Sequence, residues 1–378
     1  MALESTPPWS LDSGHCMASQ NYSAPDFTAP GLDQAPDARF EPLPADGVLP
    51  EGFFSTSNLP TYVRVDGRWV LPIRPRMDCA IVRRGATLEV IEPRRLRQGE
   101  VVAVGLAEDG SEGIYVHGAG FLGGGHSANE FRFMSTEVSR ERPVNYEELA
   151  ARLNEEKARG GFLIWVAGPA LVHARARGDF EWFVHNGYVQ AVLAGNAVAV
   201  HDIEAAIFGT TLGMSSTGRP TDGGHGLHMR AINQVRAAGS IEAAVRSGLI
   251  RNGIMHALVT HDVPFVLAGS IRDDGPLPGV IASSVEAQDA MREHTANATG
   301  AILIASALHA IAVGNMLPAY HTHYHGVPMP LMTICVDQTE FVVNKLRDRG
   351  THQAYGVVTN AQDFMHVLRF YVEKGIQS

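Results

Sequence analysis

Cysteine is scarce: three residues, Cys16, Cys79 and Cys335, in a chain of 378, odd in number and far apart. That spacing excludes a disulfide framework and the paired-cysteine pattern of a structural zinc site, and it predicts a reduced, cytoplasmic protein. Basic charge is in deficit, with 30 Lys+Arg against 40 Asp+Glu and a formal net charge of -10. A nucleic-acid binder needs a basic face, so no nucleic-acid partner is expected. No apolar run reaches the ~18 residues of a membrane span. The most apolar stretch, 301–317, is interrupted by Ser306, His309 and Asn315. The N-terminus shows no basic segment followed by an apolar one, so neither secretion nor a membrane partner is expected. What the chain does have is length, 45% hydrophobic residues and 39 glycines. At roughly 150 residues per domain this predicts two or three domains with sizeable cores.

The composition changes along the chain. Residues 1–50 hold eight of the 21 prolines, one basic residue (Arg39) and no hydrophobic periodicity. A segment so poor in apolar pattern reads as a Pro-rich extended arm; wrapping a partner subunit is the functional alternative. Residues 51–143 read as a small β-rich domain. Thr61-Tyr62-Val63-Arg64-Val65, the turn pair Asp66-Gly67 and Arg68-Trp69-Val70-Leu71 make a hairpin signature, followed by short strands near 79–82, 88–91, 101–104 and 114–116. From 144 to 378 helix alternates with buried strand. Asn145 is a plausible N-cap with Glu147 and Glu148 in the first turn. Apolar runs at 162–166, 189–193, 264–268, 301–304, 331–336 and 356–358 are apolar on both faces, as parallel strands covered by helices must be. Helical patterns fall between them, at 229–239, 241–247, 287–296 and 341–349. The predicted architecture is α/β: a doubly wound, mainly parallel, Rossmann-like sheet preceded by the β-rich domain.

Ligands of such sheets bind beyond the carboxyl ends of the strands. There the sequence places Gly168-Pro169, Ala194-Gly195-Asn196-Ala197, Gly269-Ser270-Ile271-Arg272-Asp273-Asp274-Gly275-Pro276, Ser306-Ala307-Leu308-His309, Asp337, and Thr359-Asn360. Turns and helix caps account for any one cluster; six at one sheet edge point to a bound cofactor. Gly118-Ala119-Gly120-Phe121-Leu122-Gly123 matches the dinucleotide fingerprint G-x-G-x-x-G, but Gly124-Gly125-His126 is a poor helix start, so the match reads as a glycine-rich linker. Asp337 fits a ribose contact or a helix cap. Asp273 and Asp274 form a carboxylate pair suited to acid/base work on an amine, or an exposed acidic turn. His225 fits a proton shuttle or a surface cap. The run His321-Thr322-His323-Tyr324-His325 has no Cys or carboxylate at a familiar metal spacing. A polar loop, a substrate contact or a zinc or nickel site would each fit it, and no metal is expected.

Several stretches together carry a family resemblance: Phe53-Phe54-Ser55-Thr56-Ser57-Asn58-Leu59-Pro60-Thr61-Tyr62, Met77-Asp78-Cys79, the segment 133–143, His201-Asp202-Ile203-Glu204, Gly209-Thr210-Thr211-Leu212-Gly213, the run 264–278 around Arg272-Asp273-Asp274-Gly275, and the runs 309–318 and 334–337. Over about residues 45–370 the chain resembles the archaeal-type ornithine cyclodeaminases. These are the "LOR/SDH conserved region" proteins, which also form the C-terminal half of arginine dihydrolase/ornithine cyclodeaminase fusion enzymes. The resemblance implies a Rossmann-like fold of the deoxyhypusine-synthase type that holds NAD without the glycine fingerprint. It implies conversion of ornithine to proline with loss of ammonia, NAD removing a hydride from Cα and returning it to the cyclised imine. It carries NAD contacts onto Asn196, Ala197, Asp274, Ala307, Leu308, His309, Asp337 and Asn360. Asp273, Asp202 and His225 are acid/base candidates from their chemistry, and Arg272 is a candidate for the substrate carboxylate. A small amino-acid substrate and a homo-oligomer are expected.

The chain also departs from the family pattern. Gly224-His225-Gly226-Leu227-His228 stands where the family has Gly-His-Arg-Asn-His, Asn360 replaces an Asp, and an insertion near 320–330 carries the histidine run. These changes are expected in loops near the pocket. They leave open an amino-acid or opine-type dehydrogenase with another substrate, or a nucleotide-binding protein without chemistry.

Overall fold

The computed structural model describes residues 22–120, 144–339 except 174, 216, 272, 274, 324 and 325, and 354–377. Arg272, Asp274, Tyr324, His325, the segment 133–143 and the helix expected at 341–349 lie outside the described residues.

The first half is a β module of two antiparallel sheets. Strands β1 (Arg39–Pro42), β2 (Thr61–Val65), β3 (Arg68–Val70), β4 (Ala80–Arg84), β5 (Thr87–Ile91), β6 (Val101–Val104) and β7 (Ile114–Val116) assemble in the orders β1-β6-β4-β5 and β3-β2-β7. Period-two alternation gives β4 and β6 of the larger sheet two apolar faces. Ile81 and Ala103 face the smaller sheet together with Val63 and Ile114, while Ala80 and Val102 pack on the other side with Leu43 and Leu96.

The expectation of an extended arm over residues 1–50 needs correction in its second half. β1 pairs with β6 from Arg39–Val104 to Pro42–Val101. Leu32, Ala35 and Leu43 are buried, the Trp69 indole N–H donates to the Leu32 carbonyl at 3.2 Å, and Phe27 stacks on Trp69. A segment with little apolar pattern of its own is ordered because the partner sheet supplies the apolar surface and the hydrogen-bonding edge. Residues 1–21 lie outside the described set.

The second half opens with α1 (Tyr146–Ala158), whose N-cap Asn145 accepts from the Glu148 N–H at 3.1 Å, as the sequence predicts. Then follow β8 (Leu163–Ala167), α2 (Ala170–His173), α3 (Arg177–His185), β9 (Ala191–Gly195), α4 (Asn196–Phe208), the small hairpin β10 (Thr210–Thr211) and β11 (Met214–Ser215), α5 (Leu227–Ala238), α6 (Ile241–Arg246) and α7 (Ile254–Thr260). The rest is β12 (Phe265–Ala268), α8 (Ser284–Thr295), β13 (Gly300–Ile304), α9 (Ala307–Met316), the hairpin β14 (Tyr320–His321) and β15 (Met329–Pro330), β16 (Met332–Asp337), β17 (Ala354–Val358) and α10 (Ala361–Gln377). Six strands form one sheet in the order β12-β9-β8-β13-β16-β17, every pair parallel. Numbered by appearance this is 3-2-1-4-5-6, the order of the Rossmann fold, with its reversal between β8 and β13. One face packs α1, the helices α2 to α7 and α10; the other packs α8 and α9.

The β module is pinned to α8 by charge. Glu92 pairs with Arg76 at 2.5 Å, with Arg95 at 3.5 Å and with Arg292 of α8, while Asp289 of α8 pairs with Arg94 at 2.5 Å and with Arg95. Arg76, Glu92 and Arg292 are largely buried. Burial and the neighbouring Arg76 push Arg292 down to about 10. Among the described residues, no helix is long and apolar enough to cross a membrane.

Candidate active site

The strand reversal opens a crevice at the carboxyl edge of the sheet. Gly168, just past β8, donates its N–H to the Ile304 carbonyl at 2.9 Å, and a Cβ built on it would lie 1.6 Å from the Ala305 carbonyl oxygen. Only glycine admits that crossing. Ala305 itself sits at φ +58°, in the left-handed region, so the chain bends sharply from β13 into Ser306 and α9.

Three predicted residues meet at this edge. Asn196 opens α4 directly after β9. Its amide Nδ2 donates to Asp273 Oδ1 at 3.2 Å, and its Oδ1 accepts the Leu277 N–H at 3.2 Å. Asp273 Oδ2 accepts the Ser270 N–H at 2.7 Å, so the carboxylate is held from two sides. His309 comes from α9, on the other face of the sheet, and its ring lies over Gly195, where a Cβ would stand 2.6 Å from Cε1. Burial lowers the His309 pKa below the ordinary histidine value, with the Asp273 charge acting in the opposite direction. The imidazole is therefore neutral at neutral pH.

The helices around the crevice are not capped by their own N-cap side chains. The N-cap positions of α4 and α9 are Gly195 and Ser306, and neither makes a side-chain cap bond. Ala197 is in the first turn of α4, and the exposed Ala307 and Leu308 are in the first turn of α9. Helix N-termini carry partial positive charge and unsatisfied N–H groups, which suit phosphate or carboxylate oxygens. Asp337 ends β16, next to β13, and closes a turn by accepting from the Thr339 N–H and hydroxyl at 2.9 and 2.8 Å. Asn360 follows β17 at the same edge and caps α10, accepting from the Asp363 N–H at 2.8 Å. Glycine crossings, open helix ends and an acidic strand end together fit a dinucleotide.

Two acid/base candidates are placed elsewhere. Asp202 lies six residues along α4, about 9 Å from its start. It is fully buried, pairs with Arg177 Nε at 2.5 Å, and accepts the first N–H groups of α7, Ile254 at 2.9 Å and Met255 at 2.8 Å. It is a structural cap delivered from a neighbouring helix. His225 is exposed in a short turn before α5, where Gly224 packs against Gly213 beyond the far end of α4. The other end of α5 approaches the Asp273 loop, through Arg236 donating to the Pro276 carbonyl at 2.9 Å. A whole helix length thus separates His225 from Asn196.

Of the departures from the family pattern, Asn360 lies at this edge, and the other two do not. Gly226 and Leu227 share the position of His225. The β14–β15 hairpin enters between α9 and the start of β16, where the Leu331 N–H donates to the Ala319 carbonyl at 3.1 Å, so His321 lies at the opposite edge of the sheet. His321 is buried there with His323 and Arg159 close by, and burial pushes its pKa down to about 4. Among the described residues, no group of three or more His, Cys, Asp or Glu side chains is placed to hold a metal.

The family motif His201-Asp202-Ile203-Glu204 is explained by packing. Glu204, wholly buried, accepts from the Thr210 hydroxyl and the Gly213 N–H, each at 2.9 Å, and from the Leu212 N–H at 3.1 Å. It thereby fixes the β10–β11 hairpin. Sequence reasoning does not anticipate the Gly168–Ala305 crossing, because a single left-handed alanine carries no local signal.

Comparison with known proteins agrees with the fold. Residues 147–368 match the family described as arginine dihydrolase ArgZ-like, C-terminal, Rossmann fold, and residues 60–147 match the first region of the same C-terminal part. The chain is 44% identical over 340 residues to the ornithine cyclodeaminase of Methanopyrus kandleri, covering 88% of this chain and 77% of that protein. It is 39% identical over 345 residues to the bifunctional arginine dihydrolase/ornithine cyclodeaminase AgrE of Nostoc sp., covering 89% of this chain and 47% of that one. The crystal structure of a conserved LOR/SDH protein from Methanococcus maripaludis S2 superposes with a TM-score of 0.80 at 38% identity, covering 90% of this chain and 99% of that chain. The ternary complex of AgrE with ornithine and NAD+ superposes with a TM-score of 0.56 at 36% identity, covering 91% of this chain and 47% of that chain.

Proposed function

Since the chain belongs to the family of arginine dihydrolase ArgZ-like C-terminal regions, we propose that it is an NAD-dependent cyclodeaminase that converts ornithine, or a close diamino-acid relative, to proline or its cyclic analogue with release of ammonia. The observation that carries the reading is the convergence of Asn196, Asp273 and His309 at the strand reversal of a Rossmann sheet. Relatives named ornithine cyclodeaminase, and a related enzyme captured with ornithine and NAD+, support it.

NAD, when bound, supplies a two-electron acceptor that is restored within each turnover, so the overall reaction is redox-neutral. The N-terminal ends of α4 and α9, through the N–H groups near Ala197, Ala307 and Leu308, would hold its phosphates, with Asp337 and Asn360 flanking the adjoining strand ends. Asp274 is the further NAD contact carried over from the family. Asp273 is the residue that takes and returns protons on the substrate amine: its carboxylate is already oriented by Asn196 and the Ser270 N–H, so little reorganisation is needed. Neutral His309 faces it across Gly195. Arg272 supplies the guanidinium for the substrate α-carboxylate. Ile271 and Leu308, exposed apolar side chains beside Asp273 and His309, are covered when cofactor and substrate bind and help to keep water out.

Pure protein incubated with ornithine and a trace of NAD should release proline and ammonia in equal amounts without accumulating NADH. Stoichiometric NADH would instead identify a dehydrogenase, and the absence of turnover on any diamino acid would overturn the reading.

A further inference from the structure

Ser306 stands where a serine ordinarily has a local task. As the N-cap of α9, at φ −147° and ψ 94°, its hydroxyl would normally accept an N–H from the first turn of the helix. It makes no such bond. The buried side chain instead lies with Oγ 3.2 Å from Nδ1 of His309, the third residue of the same helix. The residue before it is irregular too. Ala305 is at φ +58° at the crossing over Gly168. A non-glycine residue in the left-handed region costs energy and persists only where its surroundings enforce it. Two locally unfavourable choices in succession, a left-handed alanine and an unused cap, lead into the serine–imidazole contact.

The other edge of the ring is equally constrained. Cε1 and Nε2 face Gly195, at 2.6 and 3.1 Å from where its Cβ would be. Gly195 adjoins Asn196, which carries Asp273. With Ser306 Oγ beside Nδ1 and the Cε1–Nε2 edge turned to Gly195, a hydroxyl that donates to Nδ1 leaves the proton on Nε2, the nitrogen on the open side of the ring.

We propose that Ser306 is a positioning residue: its hydroxyl donates to Nδ1 of His309, fixes the imidazole as the Nε2–H tautomer, and so presents a single N–H donor to an acceptor atom of the cofactor or substrate bound over Gly195. The identity of that ligand rests on the cyclodeaminase reading; the tautomer does not. The experiment is long-range proton–nitrogen NMR on protein labelled with nitrogen-15 histidine, with His309→Gln locating the signal, in the wild type and in Ser306→Ala and Ser306→Thr. The wild type and Ser306→Thr should show an unprotonated Nδ1 and a protonated Nε2, and Ser306→Ala a mixture of the two forms. Adding NAD alone, then ornithine, shows which ligand moves the Nε2 signal. Because Ser306 makes no cap bond, Ser306→Ala should leave the melting temperature within about a degree of the wild type. Its kcat should fall on the order of tenfold, as misplacement of a positioned group does, with KM little changed. A protonated Nδ1 in the wild type would overturn the proposal. So would a Ser306→Ala variant that melts earlier while keeping the wild-type tautomer. Failure of ornithine turnover with the expected tautomers would count against the substrate assignment alone.

Discussion

Asp202 and Asp273 are both aspartates that follow strand ends, and they differ in what their oxygens accept. Asp202 gives both to the interior: a guanidinium and two N–H groups at the start of α7, with no exposure to solvent. Asp273 is half-buried and accepts from one amide and one N–H at the mouth of the crevice. A buried ion pair broken from one side leaves an uncompensated charge. Asp202→Asn should therefore cost about 3–5 kcal/mol in urea unfolding, while the fraction that remains folded keeps its kcat. Full stability with lost turnover would return Asp202 to the catalytic set. The same contrast separates the histidines: His309 is enclosed beside a carboxylate, whereas His225 is exposed a helix length away.

At the scale of elements, the site is made by two strand-to-helix turns that leave their helix ends open. Both depend on close backbone approach. The Gly168 turn lies under the Ala305 carbonyl, and the Gly195 turn lies under the His309 ring. A Cβ at Gly168 has no room, so Gly168→Ala must displace the β13–α9 turn and, with it, Ser306 and His309. Overpacking of this kind costs ~1–3 kcal/mol, and calorimetric titration should show NAD affinity lowered by at least about tenfold, the equivalent of roughly 1.4 kcal/mol. Gly178 in α3 is the control. A Cβ there meets nothing within 4 Å, so Gly178→Ala should bind NAD normally and gain up to about 1 kcal/mol of helix stability. Equal affinity in the two variants would show that the crossing does not shape the site.

For the whole molecule, the question is what joins the β module to the Rossmann half. The densest polar contact is Glu92 between Arg76 of the module and Arg292 of α8, flanked by Arg94 and Arg95 on Asp289. Two largely buried guanidinium groups share one carboxylate, so removing it leaves them facing each other. Glu92→Gln should destabilise by about 3–5 kcal/mol and, because the contact joins the two halves, should split a single calorimetric unfolding transition into two. One unshifted transition would show that apolar contacts alone couple the halves.

Local chemistry alone made much of this protein legible. Short runs that are apolar on both faces fit covered strands, so all six strands of the parallel sheet could be read, and the Asp66-Gly67 turn and the Asn145 cap could be read from the same short-range rules. The strand-end clusters that hold Asn196, Asp273 and His309 could be located because ligands of such sheets bind there, and the family resemblance singled out Asn196 and His309 within them. Which of them meet could not, since that depends on strand order, and strand order is a choice among long-range pairings that no window of sequence contains. The same limit governs what sequence could not place. An aspartate in a helix reads alike whether it caps another helix or moves protons, and a histidine run reads alike at either edge of a sheet. A Pro-rich segment gives no sign that an edge strand is waiting to pair with it. Ser306 would pass in sequence as an ordinary helix cap; only the tertiary structure, by bending Ala305 over Gly168, turns its hydroxyl from the backbone to an imidazole.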